Sequence, residues 1–407
     1  MEHTIVGIDV GSSKVCTLVG EIDDNNKTRI IGVGLVPSRG VRKGVVVNVG
    51  EATAAIASSI ERAEQTSGYK IERAFVSLSG THISSINSRG VVGISRRERG
   101  IAEEDVDRVL EAARAIAVPH NNEVVHVIPR DYLVDGQGGV RDPVGMHGFR
   151  LEVETHIVTG ASTSIQNLVQ CVEGTGVAVD ELVLSSLAAG DAVLTDTERE
   201  MGVVLADIGA GTVDLAVFID GTVWHTTVMG VGGEYITADV AIGLRLQPAV
   251  AEQIKVQHGH AQANQVSPDA RVTLSPFGEE TPQVIPRWKL AEIVEARIEE
   301  IVLMIQQEIK RSGYDGLLPA GVVFTGGTAQ LPGLCDLGRE VFGLPVRVGA
   351  PSKELQGLVD QVLKPAYSVG VGLMGWGGTV SQRPQLRKEG PSGGKRLMDW
   401  LKAFLPS

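Results

Sequence analysis

The sequence predicts an α/β fold in which two related halves face each other across one ligand-binding cleft. An apolar strand ends at Asp207, a glycine-rich turn follows, and a second apolar strand then begins. Near the N-terminus another apolar strand ends at Asp9 and passes through a similar turn into a further strand. A third apolar run, 322–325, leads into a Gly-Gly turn. Because the same order of strand, Asp and Gly turn occurs twice, the sequence predicts two related halves.

The turn after Asp207 has the residue types of a phosphate-binding loop. Gly209 and Gly211 carry no Cβ, so backbone N–H groups there can approach an anion closely. A carboxylate repels phosphate, but it can hold phosphate through a hydrated Mg²⁺. The alternative for one such turn is an ordinary hairpin, and the second copy at Asp9 favours the phosphate interpretation.

These three segments, in this order, resemble the phosphate 1, phosphate 2 and adenosine motifs of the actin, hexokinase and heat-shock chaperone superfamily. Residues 4–378 are similar to the FtsA family of actin-like bacterial cell-division proteins. The resemblance implies an actin-like ATPase fold, with two ribonuclease H-like halves around a nucleotide cleft and a small inserted α+β subdomain.

Composition fits an acidic cytoplasmic protein. The chain has 407 residues, is 43% hydrophobic and carries a formal net charge of −12. The negative charge argues against a general nucleic-acid binder, which needs clustered Lys and Arg. The three cysteines lie far apart without zinc-site spacing. We expect no signal peptide, and no apolar run reaches the roughly 20 residues of a spanning helix.

Apolar periodicity predicts the elements in order. After the first hairpin we expect strands at 30–36, 45–49 and 74–78, and a helix at 51–67 that ends at Gly68. Between residues 83 and 160 we expect strands at 91–94, 123–128, 132–134 and 151–158, a helix at 103–115, and a turn at 135–139. Helices at 164–173 and 187–194 follow, and a strand from Met201 opens the second half. Beyond it we expect a strand at 223–228, a Gly-rich turn into a helix, a helix around 252–257, a loop at 276–286 and a long helix at 289–312.

The resemblance also implies a division into subdomains. The first actin-like half is residues 1–82, 161–198 and 350–378, with the inserted subdomain at 83–160. The second half is 199–240 and 313–349, with a small lobe at 241–312. A linker at 379–394 and an amphipathic helix at 395–407 complete the chain.

In this family the motif positions imply a site for ATP and Mg²⁺. Asp9 and Asp207 would hold Mg²⁺ through water, and Gly326, Gly327 and Thr328 would lie on the adenosine side. The phosphate cradle would be Gly11, Ser12, Ser13, Gly209, Gly211 and Thr212. Gly233, Glu252 and Lys255 complete the nucleotide-binding set, although Glu252 and Lys255 also have the spacing of an ordinary surface ion pair. Lys14 would either reach the β- and γ-phosphates or face solvent.

Hydrolysis needs a group that orients water in line with the γ-phosphate. Actin-like relatives often have Glu or Gln just before phosphate 2, whereas this chain has Ser185 and Ser186. Asp214 and Asp207 are the remaining catalytic candidates, so we expect slow ATPase activity at most. A sugar kinase or a chaperone-type ATPase of the same superfamily is the alternative. The sequence shows no convincing sugar-binding Asp motif and no long substrate domain after residue 378.

The resemblance implies partners as well. The small lobe of FtsA relatives receives the acidic C-terminal peptide of FtsZ, and Arg287, Lys289 and Arg297 are candidates for that contact. A solvated charged face is the alternative for each of them. Self-association into protofilaments and contacts of the inserted subdomain with other division proteins are also implied, and no nucleic acid is expected.

The C-terminal segment has the pattern of a membrane-surface helix. At about 100° per residue, its apolar side chains fall within an arc of roughly 160°, opposite Lys395, Arg396, Asp399 and Lys402. The apolar set is Leu397, Met398, Trp400, Leu401, Phe404 and Leu405. Such a helix suits the interface of a bilayer, which predicts a peripheral protein on the cytoplasmic face of the bacterial inner membrane at the division site. The alternative is a terminal helix docked on the protein itself.

Overall fold

The computed structural model describes residues 3–22, 27–95, 99–115, 118–279, 281–351, 355–360 and 362–381. Within these ranges the chain forms three main sheets and three hydrophobic core clusters, the first of which also includes Leu205, Phe218 and Val323 of the second sheet. No helix in the described ranges combines the length and hydrophobicity that crossing a bilayer requires.

The first elements follow the predicted order, with one correction near residue 48. The predicted strand 45–49 is only two residues long because Asn48 caps the next helix, where its Oδ1 accepts the N–H of Glu51 at 3.2 Å. Gly68 ends that helix with φ +70°. The elements are β1 (His3–Val10), β2 (Lys14–Ile22), β3 (Thr28–Pro37), β4 (Val41–Arg42), β5 (Val45–Val46), α1 (Val49–Ser67) and β6 (Arg73–Leu78).

The next elements form the inserted unit: β7 (Ile83–Gly93), α2 (Glu103–Arg114), β8 (Asn122–Val134), β9 (Gln137–Val140) and β10 (Arg150–Ala161). The strand predicted at 91–94 is the end of the longer β7. The two strands predicted at 123–128 and 132–134 are one strand, β8, which passes through Pro129. The pairing register shifts beside Pro129, so its missing N–H falls at an irregularity in the ladder. The turn predicted at 135–139 is confined to Asp135 and Gly136, both with positive φ.

The chain then returns to the first sheet and crosses to the second. The elements are α3 (Ser162–Glu173), β11 (Ala178–Leu184), α4 (Ser185–Val193), α5 (Asp196–Met201), β12 (Val203–Ile208), β13 (Val213–Ile219), β14 (Thr222–Met229), α6 (Gly233–Gly243) and α7 (Pro248–His258). The strand predicted from Met201 exists but begins two residues later, at Val203, because Met201 ends α5. That helix begins with a capping box between Thr195 and Glu198, a sequence signal that the apolar pattern obscured.

The remaining elements are β15 (Arg271–Leu274), β16 (Gln283–Pro286), α8 (Arg287–Ser312), β17 (Val322–Thr325), α9 (Leu334–Phe342), β18 (Val346–Val348), β19 (Gln356–Gly357) and α10 (Ser368–Ser381). The predicted loop 276–286 therefore contains a strand. β16 pairs antiparallel with β15. This pairing stabilises the four residues of β16, whose side chains lack a strong alternation of apolar and polar types.

The two larger sheets share one topology. The first has the order β11-β6-β1-β2-β3-β19 and the second β14-β13-β12-β17-β18. In each, a central strand pairs antiparallel with the strand that follows it in sequence and parallel with a strand from later in the chain. The prediction of two related halves is confirmed. We call the first sheet with α1, α3, α4 and α10 the first half, and the second sheet with α5–α9 the second half.

The inserted unit packs against the second half, although the chain enters it from β6 and leaves it to α3, which both belong to the first half. Ser85 on β7 donates to the carbonyl of Thr226 at 2.7 Å, and the Asn87 amide donates to the carbonyl of Trp224 at 3.3 Å. Both acceptors belong to β14, the edge strand of the second sheet. Side chains of the inserted unit thus pair backbone carbonyls that an open edge would leave exposed.

Candidate functional site

The two Asp-containing hairpin turns have the same local geometry. Gly11 N–H donates to the carbonyl of Lys14 at 3.0 Å, and Gly209 N–H donates to the carbonyl of Thr212 at 2.9 Å. Asp9 and Asp207 each lie one residue before the last residue of their strand. The repeat seen in the sequence is therefore a repeat in structure, with each carboxylate placed beside its glycine turn.

Both turns and the Gly326-Gly327 turn line one cavity of about 70 Å³ between the halves. The structure brings together there eleven residues predicted for cofactor binding. They are Asp9, Gly11, Ser12, Ser13, Lys14, Asp207, Gly209, Gly211, Thr212, Gly326 and Gly327. These come from segments that lie far apart in the sequence, so their convergence is produced by the tertiary fold.

The other predicted nucleotide-binding residues lie directly beside the second turn. Gly233 N–H and the Thr328 hydroxyl both donate to the carbonyl of Gly209, at 2.9 and 3.1 Å. Lys255 Nζ donates to the carbonyl of Gly233 at 3.1 Å and forms an ion pair with Glu252 at 2.6 Å. The predicted ion pair therefore exists, and its lysine also contacts the backbone next to the cavity.

Three carboxyl groups are buried at the cavity, namely Asp9, Asp207 and Asp214. Burial, with the nearby charges of Asp214 and Asp9, raises the pKa of Asp207 to about 8. Burial also raises the pKa of Asp214 to about 6, and hydrogen bonds from Ser79 and Thr212 to its Oδ2 oppose that rise. Burial raises the pKa of Asp9, while the charge of Lys14 and a bond from Ser77 lower it. Such crowding of like charges favours a bound cation or a proton.

A cation bound at this cavity would contact the carboxylates through water molecules. In the described part of the chain, no group of three His, Cys, Asp or Glu side chains is arranged to bind a metal ion directly. Hydrated Mg²⁺ needs only one or two carboxylates besides phosphate oxygens. Asp214 Oδ1 is buried without a hydrogen-bond partner among the described residues, so one acceptor oxygen at the cavity is uncommitted.

Lys14 lines the cavity, and its Nζ lies 5.3 Å from the ring centroid of Tyr367. Of the two serines before the second hairpin, Ser185 lines the cavity and donates to the carbonyl of Leu78 at 3.2 Å. Ser186 is fully buried. Ser185 is therefore the only one of this pair that the structure places at the cavity surface.

Several lining residues were not predicted from the sequence: Val10, Gly44, Ser79, Ala210, Pro365, Ala366 and Val369. Ser79 had a recoverable signal. It follows β6 and precedes Gly80, as Thr325 at the end of β17 precedes Gly326, and β6 and β17 hold equivalent places in the two sheets. Applying the internal repeat to these strands would have identified it.

The candidate peptide-binding residues lie on α8, Arg287 and Lys289 in its first turn and Arg297 nearer its middle. The Arg287 guanidinium donates to the carbonyl of His258 at 2.7 Å, and Arg297 pairs with Asp239 at 2.6 Å. Lys289 Nζ lies 5.7 Å from the ring centroid of Trp288. The two arginines thus have partners within the protein. The predicted membrane-binding residues, Leu397 to Leu405, lie outside the described residues.

Residues 204–372 match the family model described as cell division protein FtsA, and residues 80–159 match the SHS2 domain inserted in FtsA. Cell division protein FtsA of Pseudomonas aeruginosa is 43% identical over 373 residues, covering 92% of this chain and 89% of that protein. The Escherichia coli K12 protein of the same name is 37% identical over 411 residues, covering 98% and 97%.

Solved structures share the fold at much lower identity. The PilM–PilN type IV pilus biogenesis complex gives a TM-score of 0.64 at 16% identity, covering 92% of this chain and 98% of that chain. MreB5 of Spiroplasma citri bound to ADP gives 0.54 at 13%, covering 90% and 94%. These neighbours confirm the actin-like ATPase fold. The relatives at 43% and 37% identity show that this chain belongs to the FtsA family of cell-division proteins.

Proposed function

We propose that this protein binds Mg-ATP in the cleft between its halves, polymerises on the cytoplasmic face of the inner membrane and anchors FtsZ filaments of the Z ring there. In that position it would help to recruit later division proteins. The observation that carries the nucleotide part is the convergence of two Asp-Gly turns and a Gly-Gly turn on one cavity. Membership of the FtsA family favours this role over a sugar kinase or a chaperone.

The residues present fit a magnesium nucleotide. Gly11 and Gly209 bring backbone into the cavity wall beside two carboxylates. A Cβ on Gly211 would lie 2.6 Å from the Ser12 hydroxyl, so a side chain there would fill the space between the two turns. Asp9 and Asp207 would hold the hydrated cation, which neutralises phosphate charge when bound. The fold neighbour MreB5 was solved bound to ADP, which supports a nucleotide as the ligand.

For hydrolysis we propose Asp214 as the group that orients water. It lines the cavity, Ser79 and Thr212 fix its Oδ2, and its Oδ1 has no partner among the described residues. An oriented carboxylate oxygen is what a water-positioning residue requires. Since relatives often use Glu or Gln from another element, we expect a slow rate.

For partners we propose the lobe 241–312 as the receiver of the FtsZ C-terminal peptide. Lys289 is the candidate cation that forms no ion pair with another described residue. Arg287 and Arg297 would contribute through rearrangement of their present contacts. We also propose the subdomain boundaries given above, including the inserted subdomain at 83–160. Peripheral attachment would come from residues 395–407.

Calorimetric titration of Mg-ATP tests the nucleotide assignment. Asp207→Ala should weaken binding by about 1.5–3 kcal/mol, the range for hydrogen bonds to charged groups. Asp207→Asn should behave similarly because it keeps the shape and loses the charge. Asp269→Asn, which changes an exposed carboxylate, should bind like the wild type. Equal affinity in all four proteins would disprove the assignment, and phosphate release with and without vesicles would then measure hydrolysis separately.

A further inference from the structure

A short hairpin of the first half reaches the cavity from the side. β4 and β5 pair through Val41 and Val46, and Lys43 and Gly44 form the connecting turn with φ +50° and +74°. Positive φ at both central residues is the geometry of the tightest two-residue hairpins, and it is unusual for a lysine. We call residues 40–47 the strap. A strained non-glycine residue in such a turn is a common feature of functional segments.

The tip of the strap meets both phosphate turns. Gly44 lines the cavity, and its N–H donates to the Ser12 hydroxyl at 3.1 Å. On the other side, a Cβ on Gly211 would lie 3.1 Å from the Cα of Lys43. The strap backbone therefore packs directly on the turn of the opposite half, with no room for a side chain between them.

The Lys43 side chain extends this contact across the cleft. Its Nζ lies 5.0 Å from the ring centroid of Tyr235, which is on the first turn of α6 in the second half. Burial raises the pKa of the neighbouring Glu234, and the charge of Arg42 in the strap opposes that rise. Two successive cations of the strap thus face two successive residues of α6.

The cavity behind the strap is small. Its volume is about 70 Å³, and residues of both halves line it, so separation of the halves widens the route by which a nucleotide enters or leaves. Ser79 also bridges the cleft, through hydrogen bonds to Asp214 at 2.9 Å and Thr212 at 3.3 Å. The strap differs from this bridge because its contact across the cleft is made by one long side chain, that of Lys43, with the ring of Tyr235.

We propose that the strap holds the cleft closed through the contact between Lys43 and Tyr235, and thereby sets the rates at which nucleotide enters and leaves. This inference rests on the proposed nucleotide function of the same cleft. Lys43 is a positioning residue here, because it acts on the opposite half.

Stopped-flow measurement of a fluorescent ATP analogue with Mg²⁺, using the full chain, tests the strap. Lys43→Ala should raise both the association and the dissociation rate constants by roughly 2- to 30-fold, the range that loss of a cation–π contact allows. Because both rates rise, affinity changes less than either. Tyr235→Leu should reproduce this effect, and the double variant should add little to either single change. Lys43→Arg and Tyr235→Phe keep a cation and a ring, so both should resemble the wild type.

Arg39→Ala is the matched control, since it removes an exposed charge next to the strap. Wild-type rates in Lys43→Ala would overturn the proposal. A faster dissociation with unchanged association would also overturn it, because that pattern indicates a direct contact with nucleotide.

Hydrogen exchange without nucleotide separates this inference from the proposed function. Lys43→Ala should accelerate exchange at 209–212 and leave α2 in the inserted unit unchanged. If the wild type binds no nucleotide, the proposed function fails, and exchange at 209–212 alone decides whether the strap closes the cleft. Unchanged hydrogen exchange at 209–212 would overturn the proposed role of the strap, whether or not the protein binds nucleotide.

Discussion

Two buried histidines make the stability of the molecule depend on pH. His126 Nε2 accepts the N–H of Leu184 at 3.0 Å, and His156 contacts Asn87 and Thr226 at 2.7 and 2.9 Å. The pKa of each is lowered to about 3, by burial for His126 and by burial with the nearby charges of His225 and Arg130 for His156. Both rings are therefore neutral in the folded protein at any pH well above 3.

This predicts acid destabilisation that begins near neutral pH. An unfolded histidine has a pKa of about 6.5, so below that pH the unfolded state binds protons that the folded state does not. The free energy of unfolding keeps its full value above about pH 6.5. It decreases as the pH falls towards the folded-state pKa, by about 2 kcal/mol per histidine at pH 5. Urea unfolding between pH 5 and 7.5 measures the slope.

Substitution of each histidine tests whether its ring causes the pH dependence of the free energy of unfolding. His126→Gln keeps an acceptor for the Leu184 N–H, and it should reduce the slope by about one proton, roughly 1.4 kcal/mol per pH unit. His156→Gln should do the same. His120→Gln at an exposed position serves as the control. A slope equal to that of the wild type in both buried variants would contradict the prediction.

At the scale of elements, the first half depends on two helices rich in small residues. α4 and α10 pack together next to β1, and a Cβ on Gly372 in α10 would lie 1.7 Å from the carbonyl oxygen of Ala188 in α4. Small residues let the two backbones approach closely. α4 also carries Ser185 to the cavity, so this packing positions one wall of the site.

Gly372→Ala should therefore destabilise the protein by about 1–3 kcal/mol or more, the cost of overpacking a tight interior. Gly93→Ala is the matched control, since a Cβ there meets nothing within 4 Å. Urea denaturation of both variants gives the difference. Equal stability of the two would mean that the helices separate at little cost.

At the scale of the whole molecule, the inserted unit and the second half are joined by side chains. Ser85, Asn87 and His156 all contact β14, while the chain connects the unit to the first half. The unit therefore spans the two halves on one side of the molecule. A body with two related halves and such a unit is the form expected of a polymerising subunit, by analogy with the family.

We predict self-association into protofilaments. Sedimentation of the full chain with Mg-ATP and lipid vesicles should yield pelleted polymer whose amount depends on protein concentration. Asp207→Ala should polymerise less if nucleotide is required. A strict monomer at every concentration, in solution and on lipid, would contradict the prediction.

We predict that residues 395–407 bind membrane. A helix in the bilayer interface would bury Trp400 and Phe404 while its basic residues meet anionic headgroups, and each large apolar side chain contributes about 1.5–3 kcal/mol before ordering costs. In vesicle flotation the full chain should float. A truncation before Lys395 should not float with the vesicles, and neither should the Trp400→Glu, Phe404→Glu double variant. Equal flotation of all three would favour a helix docked on the protein itself.

The sequence by itself determined the repeated hairpins, the family resemblance and most of the regular elements. These depend on patterns within a few residues: an Asp before a glycine turn at Asp9 and Asp207, helical periodicity along α8, and an αL glycine at Gly68. Local hydrogen bonding fixes such features, so they can be predicted without knowing the neighbours of each element. Where a partner strand decided the outcome, as at Pro129 in β8 and at β16, the pattern alone was misleading.

Only the tertiary structure decided which residues meet at the cavity. Ser79 in the first half donates to Asp214 in the second half, and the N–H of Gly44 donates to Ser12 beside the cavity. These three residues follow no helical or strand periodicity, because what places them is the packing of two sheets whose strands are joined by long connections. Burial of the carboxylates, and so the raised pKa of Asp207, likewise arises only when the two halves close around them.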